Sequence, residues 1–276
     1  MKKPVQKKAA QKKKLSHDSV AIPAHRAKFM LPRLGVNIDH IATLRQLRGT
    51  PYPDLVEAAK VIERAGGHQI TVHLREDRRH IQDADVYALR SKIGIALNLE
   101  MSMSPEIVKI AHKVKPDWVC LVPEKRQEVT TEGGLDVLKY KKQLAKMIAD
   151  FKKKHIKVSL FVEPDVKVVE LSHELGADAV ELHTGKFCNG TQKFYGVKSA
   201  KIAEVEFKRI QESARRCHEL GIHAHAGHGF DFINVRKVVS LDLIEEFNIG
   251  HSIVCRAAMV GLDQAVREML SAVQAP

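Results

Sequence analysis

The sequence contains few of the residues that mark disulfide-bonded, zinc-binding or membrane proteins. Four cysteines are scattered over 276 residues, and their spacing fits neither a metal site nor a disulfide framework. This pattern favours a reducing compartment, and we expect a cytoplasmic protein. No apolar run reaches the ~20 residues that a membrane span needs, and no signal-peptide pattern opens the chain. We therefore expect neither a structural metal nor a membrane partner.

The net charge of +12 is concentrated at one end of the chain. Residues 1–30 contain nine basic residues and one acidic residue, which accounts for eight of the twelve net positive charges. A Lys-rich segment of this kind is typical of a disordered tail. We predict such a tail over residues 1–30, with no specific nucleic-acid partner. One domain follows over residues 31–276.

Eight strand-like segments alternate with helical patterns in that domain. Seven of the predicted strands cover residues 34–40, 70–74, 95–100, 118–123, 158–163, 179–185 and 244–249. The remaining one, the seventh along the chain, begins at residue 222 and runs into a turn that ends at residue 229. Alternating strands and helices predict a parallel sheet, and eight units are enough to close a (β/α)8 TIM barrel. An open doubly wound sheet is the alternative, but no Gly-x-Gly-x-x-Gly motif follows an early strand.

Three connecting segments have less regular patterns. We expect a loop after the first strand that contains Arg45 and Arg48, and another loop over residues 186–195. A single helix is predicted from Gly250 to about Ala272. These expectations rest on Gly, Pro and polar residues as breaks in periodicity.

The predicted strands have one apolar and one polar face. Apolar pairs such as Val36 and Ile38 would pack under the helices, so the other face points into the barrel. That face carries Asn37, Asp39, His73, Asn98, Glu100, Ser159, Glu163, Glu181, His183, His225 and Asn248. An internal hydrogen-bond network could explain single members. Because buried unpaired charges are costly, the set as a whole predicts a functional site at the carboxyl ends of the strands.

Two glycine-rich turns suggest that this site binds phosphate. Gly227-His228-Gly229 follows the seventh strand, and Gly250-His251 follows the eighth and begins a helix. TIM barrels often bind phosphate at this place through glycine amides and a helix N-terminus. Arg48, Arg75 and His80 could bind a second anion from the other side of the barrel mouth.

Two other chemistries remain open from the residues alone. His223 and His225 could form a metal site with Asp39 or Glu100, which would suit a metal-dependent hydrolase or lyase acting on a phosphorylated small molecule. No Cys pattern or His-Glu-x-x-His motif supports that site. Lys125 and Lys186 follow strands four and six and are candidates for a Schiff base, although a solvated lysine is the default in a polar loop.

Several long motifs resemble the pyridoxine 5′-phosphate synthase family. They are residues 35–45, 71–83, 98–100, 121–136, 181–185, 226–229 and 248–251, and the resemblance runs from about residue 33 to the C-terminus. One position departs from the family pattern, since His225 stands where Asn is expected before Ala-Gly-His-Gly. The resemblance implies a cofactor-free (β/α)8 enzyme with extra helices that mediate oligomer contacts, in a homo-octamer.

The resemblance also implies a reaction and a set of roles. The reaction is a transferase step of vitamin B6 biosynthesis that joins 1-deoxy-D-xylulose 5-phosphate and 3-amino-2-oxopropyl phosphate, releasing phosphate and water. By resemblance His73 is the proton acceptor, Glu100 an acid–base carboxylate and His228 a proton donor, while Glu181 stabilises charged transition states. Residues implied in substrate binding are Asn37, Gly229, Gly250 and His251 for the aminoketone phosphate, and Asp39, His40, Arg48, Arg75, His80 and Thr130 for the remaining contacts.

Overall fold

Eight parallel strands form a closed barrel in the computed structural model, which describes residues 31–123, 133–191 and 196–274. The strands are β1 (Arg33–Asn37), β2 (Gln69–His73), β3 (Ala96–Met101), β4 (Trp118–Leu121), β5 (Lys157–Val162), β6 (Ala179–His183), β7 (His223–Gly227) and β8 (Glu246–Ile249). They pair in chain order, and β1 pairs with β8. The predicted TIM barrel is confirmed and the open sheet is excluded. The predicted tail, residues 1–30, lies outside the described residues.

Eleven helices lie in the described part of the chain. They are α1 (Asp39–Arg48), α2 (Leu55–Arg64), α3 (Asp83–Lys92), α4 (Pro105–Val114), α5 (Lys141–Lys152), α6 (Val166–Glu174), α7 (Gly185–Thr191), α8 (Gly196–Leu220), α9 (Val235–Val239), α10 (His251–Val260) and α11 (Leu262–Gln274). Each predicted strand is therefore followed by helical structure. None of these helices is long and apolar enough to cross a membrane.

The expectation of a loop containing Arg45 and Arg48 was wrong, because both residues lie in α1. Gly49 follows this helix in the left-handed conformation, with φ of 62°, and its N–H donates to Arg45 O. A glycine in that conformation commonly ends a helix. Gly49 therefore marks the C-terminus of α1, whereas the sequence pattern had suggested that it belonged to a loop. Arg45 is fixed by two hydrogen bonds of 2.7 Å to Asp85, so it joins α1 to α3.

Two further expectations were wrong for the same kind of reason. In the predicted loop over residues 186–195, residues 186–191 belong to α7, and residues 192–195 lie outside the described residues. The helix forms although it includes two glycines, because Phe187 and Cys188 are fully buried and the Phe187 ring lies 6.0 Å from that of Phe207 on α8. Burial here outweighs weak helix propensity. The predicted single C-terminal helix is two helices, which meet at Gly261, with φ of 85°.

The apolar core lies between the barrel and the helices. Val36, Val72, Leu97 and Leu160, on the outward strand face, are fully buried. The inward face alternates with it, as the period-two pattern predicts, and carries polar side chains together with a small apolar cluster of Cys120, Val122 and Phe161. At the amino ends of the strands, Glu246 forms an ion pair of 2.9 Å with Arg33. Polar pairing of this kind lets charged groups occupy the barrel interior.

Candidate active site

Three side chains at the carboxyl ends of the first three strands meet at the barrel mouth. Ligand-type atoms of Asp39, His73 and Glu100 all lie within 4.8 Å of one another. Asp39 is held at both oxygens, because Oδ1 accepts from the His73 backbone N–H and Oδ2 from Asn37 Nδ2, each at 2.9 Å. Asn37 Oδ1 in turn accepts from the Asp39 N–H. These bonds fix the ends of β1 and β2 against each other and hold the cluster.

The protonation of Glu100, a member of this cluster, is altered by its surroundings. Burial raises its pKa well above the usual 4.5, and the charges of Glu181 and Asp39 raise it further, against a smaller opposing effect of a hydrogen bond with Asn37. Glu100 therefore retains a proton to a higher pH than an ordinary glutamate. A carboxyl group with a raised pKa is better suited than an ordinary glutamate to donate a proton and then take one back.

Glu181 lies deeper, on β6, and is 3% exposed. Asn248 Nδ2 donates to its Oε2 at 2.9 Å. Burial and then the charge of Glu246 raise the pKa of Glu181 to about 8, although the bond from Asn248 acts in the other direction. A side chain at Gly227 would overlap Glu181 Oε1, so this position on β7 has to be glycine for the carboxyl to fit.

The turn after β7 holds His228 in a conformation that few non-glycine residues adopt, with φ of 75°. Thr184 Oγ1 lies 2.8 and 2.7 Å from the carbonyl oxygens of Gly227 and His228, and its single hydroxyl proton, shared between them, fixes the turn. The residue keeps an exposed edge at the mouth. Removal of its ring from water, followed by the effects of His183 and His40, lowers the pKa of His228 to about 4. The ring is therefore uncharged at neutral pH.

The second predicted phosphate turn lies beside the first strand. Gly250 precedes α10, whose first N–H groups have no partner within the helix and can bind an anion. A Cβ at Gly250 would lie 2.8 Å from Asn37 O, so glycine permits this close approach. The rings of His40 and His251 are 4.8 Å apart. Gly229, with φ of 91°, continues the turn after β7.

The predicted second anion site is placed only in part. Arg75 is 4% exposed, and its Nε lies 3.5 Å from Asp77 Oδ1. The ring of His80 lies 6.3 Å from that of His73, and burial lowers the pKa of His80. These two residues therefore border the Asp39–His73–Glu100 cluster. Arg48 is exposed at the end of α1, and Thr130 lies outside the described residues.

The histidines of the predicted metal site do not approach Asp39 or Glu100. His223 Nδ1 is 2.7 Å from Glu245 Oε2, and His225 Nδ1 is 3.5 Å from Glu246 Oε1, toward the amino ends of the strands. His225, the residue that departs from the family pattern, is buried inside the barrel and pairs in register with Glu181 on β6. Lys186 Nζ pairs with Glu163 at 2.7 Å, which disfavours a nucleophilic amine. Lys125 lies outside the described residues.

Some residues that shape the site were absent from the set predicted from the sequence. Glu246 raises the pKa of Glu181, yet it was not included on the inward face. It lies two residues before Asn248 on β8, so the period-two pattern could have identified it. Gln69 Nε2 donates to Glu246 Oε1 at 2.9 Å, although the two residues are 177 positions apart in the chain. No local sequence pattern could have predicted this hydrogen bond.

Comparison with known proteins gives matches over nearly the whole barrel. A family model described as pyridoxal phosphate biosynthesis protein PdxJ matches residues 34–275. A protein named pyridoxine 5′-phosphate synthase from Hydrogenobaculum sp. (strain Y04AAS1) is 51% identical over 239 residues, which cover 86% of this chain and 98% of that protein. One of the same name from Geobacter sulfurreducens is 50% identical over 244 residues, covering 88% and 99%.

Solved structures with a similar fold have little sequence in common with this chain. Phosphoribosylanthranilate isomerase from Thermotoga maritima has a TM-score of 0.55 at 10% identity, covering 89% of this chain and 100% of that one. N-acetylmannosamine-6-phosphate 2-epimerase from Clostridium perfringens has a TM-score of 0.53 at 10% identity, covering 83% and 93%. At such identities the similarity shows the barrel fold alone.

Proposed function

The chain belongs to the pyridoxal phosphate biosynthesis protein PdxJ family, and we propose that it is a pyridoxine 5′-phosphate synthase. It condenses 1-deoxy-D-xylulose 5-phosphate with 3-amino-2-oxopropyl phosphate, releasing phosphate and water, as a cofactor-free transferase of vitamin B6 biosynthesis. The observation that carries this proposal is the meeting of the Asp39–His73–Glu100 cluster with the His228 turn and the start of α10 at one barrel mouth.

The proton transfers of the reaction match the groups of the cluster. Ring closure with loss of water and aromatisation requires protons to be removed from carbon and given to leaving oxygen. His73 is the proposed proton acceptor, and Glu100 the group that both donates and accepts, since its pKa is raised well above 4.5. Asp39 positions His73 by accepting its backbone N–H at 2.9 Å.

The charges of the substrates and of the intermediate should shift the protonation of His228 and Glu181 toward the states that their proposed roles require. The pKa of about 4 leaves His228 uncharged at neutral pH, but a phosphate dianion bound nearby favours the imidazolium and raises that pKa. Substrate binding therefore prepares His228 to donate a proton. Glu181, with a pKa of about 8, loses its proton readily when a cationic intermediate forms beside it, and the resulting carboxylate stabilises that cation.

Two anion sites fit two phosphorylated substrates. Asn37, Gly229, Gly250 and His251 are proposed to hold the phosphate of the aminoketone, with the N-terminus of α10 supplying backbone N–H groups. The other substrate is proposed to contact Asp39, His40, Arg48, Arg75, His80 and Thr130. Arg75 is buried near the cluster, so removing its charge should act mainly on KM.

We propose that the protein assembles as a homo-octamer. The helices that are additional to the eight strand–helix units of the barrel would form the contacts between subunits. The support is an exposed apolar surface: Leu44 and Leu47 of α1 are 56% and 78% exposed, and Tyr52 is 68% exposed. Exposed apolar groups of this size commonly mark protein contacts. Light scattering with Leu47→Lys would test whether α1 takes part. We propose a cytoplasmic location, with no specific nucleic-acid partner.

A direct assay tests the function. Purified protein with both phosphorylated substrates should form pyridoxine 5′-phosphate, followed by chromatography, without added metal or nucleotide. A metal-dependent hydrolase or lyase would instead lose its activity in EDTA and regain it with a divalent metal. Failure to form the product, with hydrolysis of one substrate alone, would overturn the proposal.

A further inference from the structure

His183 and Glu163 form a pair that the proposed mechanism leaves without a role. His183 ends β6 and is 7% exposed, and its Nδ1 lies 2.8 Å from Glu163 Oε1. The other carboxylate oxygen, Oε2, is 2.7 Å from Lys186 Nζ. Hydrogen bonding to His183, and then to Lys186, lowers the pKa of Glu163 to about 2 against the effect of burial. The carboxylate is therefore ionised and fixes the proton of His183 on Nδ1.

The opposite nitrogen of this ring points into a space beside His228. His183 Nε2 is buried and has no hydrogen-bond partner among the described residues. A Cβ at Gly185 would lie 2.6 Å from that nitrogen and 3.0 Å from His228 Cδ2, so the glycine keeps this space open. The rings of His183 and His228 are 5.0 Å apart in an edge-on arrangement, and Phe161 packs against both.

We infer that His183 is a positioning residue for His228, held in place by the Lys186–Glu163 ion pair. A carboxylate that fixes an imidazole through one nitrogen, leaving the other to face a reacting group, is a recurrent way to orient a ring and set its tautomer. Here the oriented ring lies against the ring of His228, the proposed proton donor. This inference rests on the proposed function, in which His228 donates that proton.

The titratable and charged groups around His228 determine how its pKa should change when the His183 ring is removed. His183 faces it from β6 and His40 from α1, while Glu163 and Lys186 lie behind His183. Burial, and then the interaction with His183, lower the pKa of His228. Removing the His183 ring should therefore raise that pKa from about 4 toward 6.5.

The decisive variant is His183→Asn, whose amide N–H can replace Nδ1 in the bond to Glu163 while the rest of the ring is removed. We expect kcat to fall about 10–100-fold, the usual effect of removing an orienting partner, with KM little changed. Exchange of the His228 C2 proton, carried out on the intact protein over a range of pH and read by tandem mass spectrometry after digestion, should show the raised pKa. This second readout does not need activity.

His223→Asn is the matched control, because His223 makes the same kind of contact with Glu245, 2.7 Å, at the other end of β7. It should leave kcat and the titration of His228 unchanged. If His183→Asn fails to fold, Glu163→Gln decides the question, with Glu245→Gln as its control. Gln keeps the size but can also donate, so the tautomer of His183 is no longer fixed and kcat should fall at unchanged KM.

The inference would be overturned if His183→Asn had wild-type kcat and an unchanged His228 titration. It would also be overturned if the loss of kcat in His183→Asn were no greater than in the control variant. Either result would leave the proposed function intact. A wild-type protein that forms no pyridoxine 5′-phosphate would overturn the proposed function instead. In that case the titration of His228 still decides whether His183 acts on it.

Discussion

Glu181→Gln should change how the stability of this protein depends on pH. Glu181 is 3% exposed and faces Glu246 across the barrel interior. Its pKa rises from 4.5 to about 8 on folding. Because one pKa unit corresponds to about 1.4 kcal/mol, ionising this carboxyl in the folded state costs on the order of 5 kcal/mol relative to the unfolded chain. Gln fills the same space without a proton to lose.

The direction of the effect follows from where the proton is bound. Below pH 4.5 the carboxyl is protonated in both the folded and the unfolded chain. Between 4.5 and about 8 the unfolded chain releases the proton while the folded chain keeps it, so the free energy of unfolding falls as the pH rises. Above about 8 both are ionised and the full cost is present. The variant lacks this fall.

Urea denaturation of both proteins across this pH range measures the effect. The free energy of unfolding of Glu181→Gln, relative to wild type, should increase by several kcal/mol from the acid to the alkaline end. Glu212→Gln, at an exposed position on α8, is the control and should give a flat difference. A flat difference for Glu181→Gln as well would refute the reasoning that this carboxyl is buried with a raised pKa.

Three further predictions follow from the proposed site and the fold. His73→Asn, Glu100→Gln and His228→Asn should each lower kcat by about 10²–10⁴-fold, because each removes a positioned proton-transfer group; steady-state assays that found only KM changed would contradict these roles. Gly35→Ala should lower the free energy of unfolding by about 1–3 kcal/mol, measured in urea, because its Cβ would overlap a buried asparagine oxygen inside the barrel; an unchanged midpoint would show that the interior can adjust. Deletion of residues 1–29 should leave kcat unchanged. Any binding of nucleic acid by the full chain should weaken steeply with salt and should be absent from the shortened protein. Salt-resistant binding of nucleic acid by the shortened protein would contradict this prediction.

The sequence by itself determined the barrel and the identity of its inward face. Strand side chains alternate strictly between two faces, so the pattern Val36-Asn37-Ile38 already states which residue points inward. Caps are equally local: Asp54 accepts from the N–H groups of Val56 and Glu57, as expected for a residue that begins a helix. Such features depend only on neighbours within a few positions along the chain.

Helices with weak local patterns were decided by tertiary packing. The residues of α7 include two glycines and no periodic apolar face long enough to indicate a helix. Burial of Phe187 and Cys188 against α8 makes the helix stable, and no property of residues 185–191 alone reveals that partner. In α1, only Ile41 and Ala42 of the apolar residues are buried, so its pattern is equally uninformative.

The chemistry of the site was decided by which charges the fold brings together. The sequence offered Glu100, Glu163 and Glu181 as three inward-facing carboxyl groups of the same type. In the folded barrel, burial near other acids raises the pKa of Glu100 and Glu181, whereas His183 and Lys186 lower that of Glu163 to about 2. Their partners come from distant strands, and electrostatic energy depends on distance in space and on burial, so only the tertiary structure could separate an acid from a permanent carboxylate.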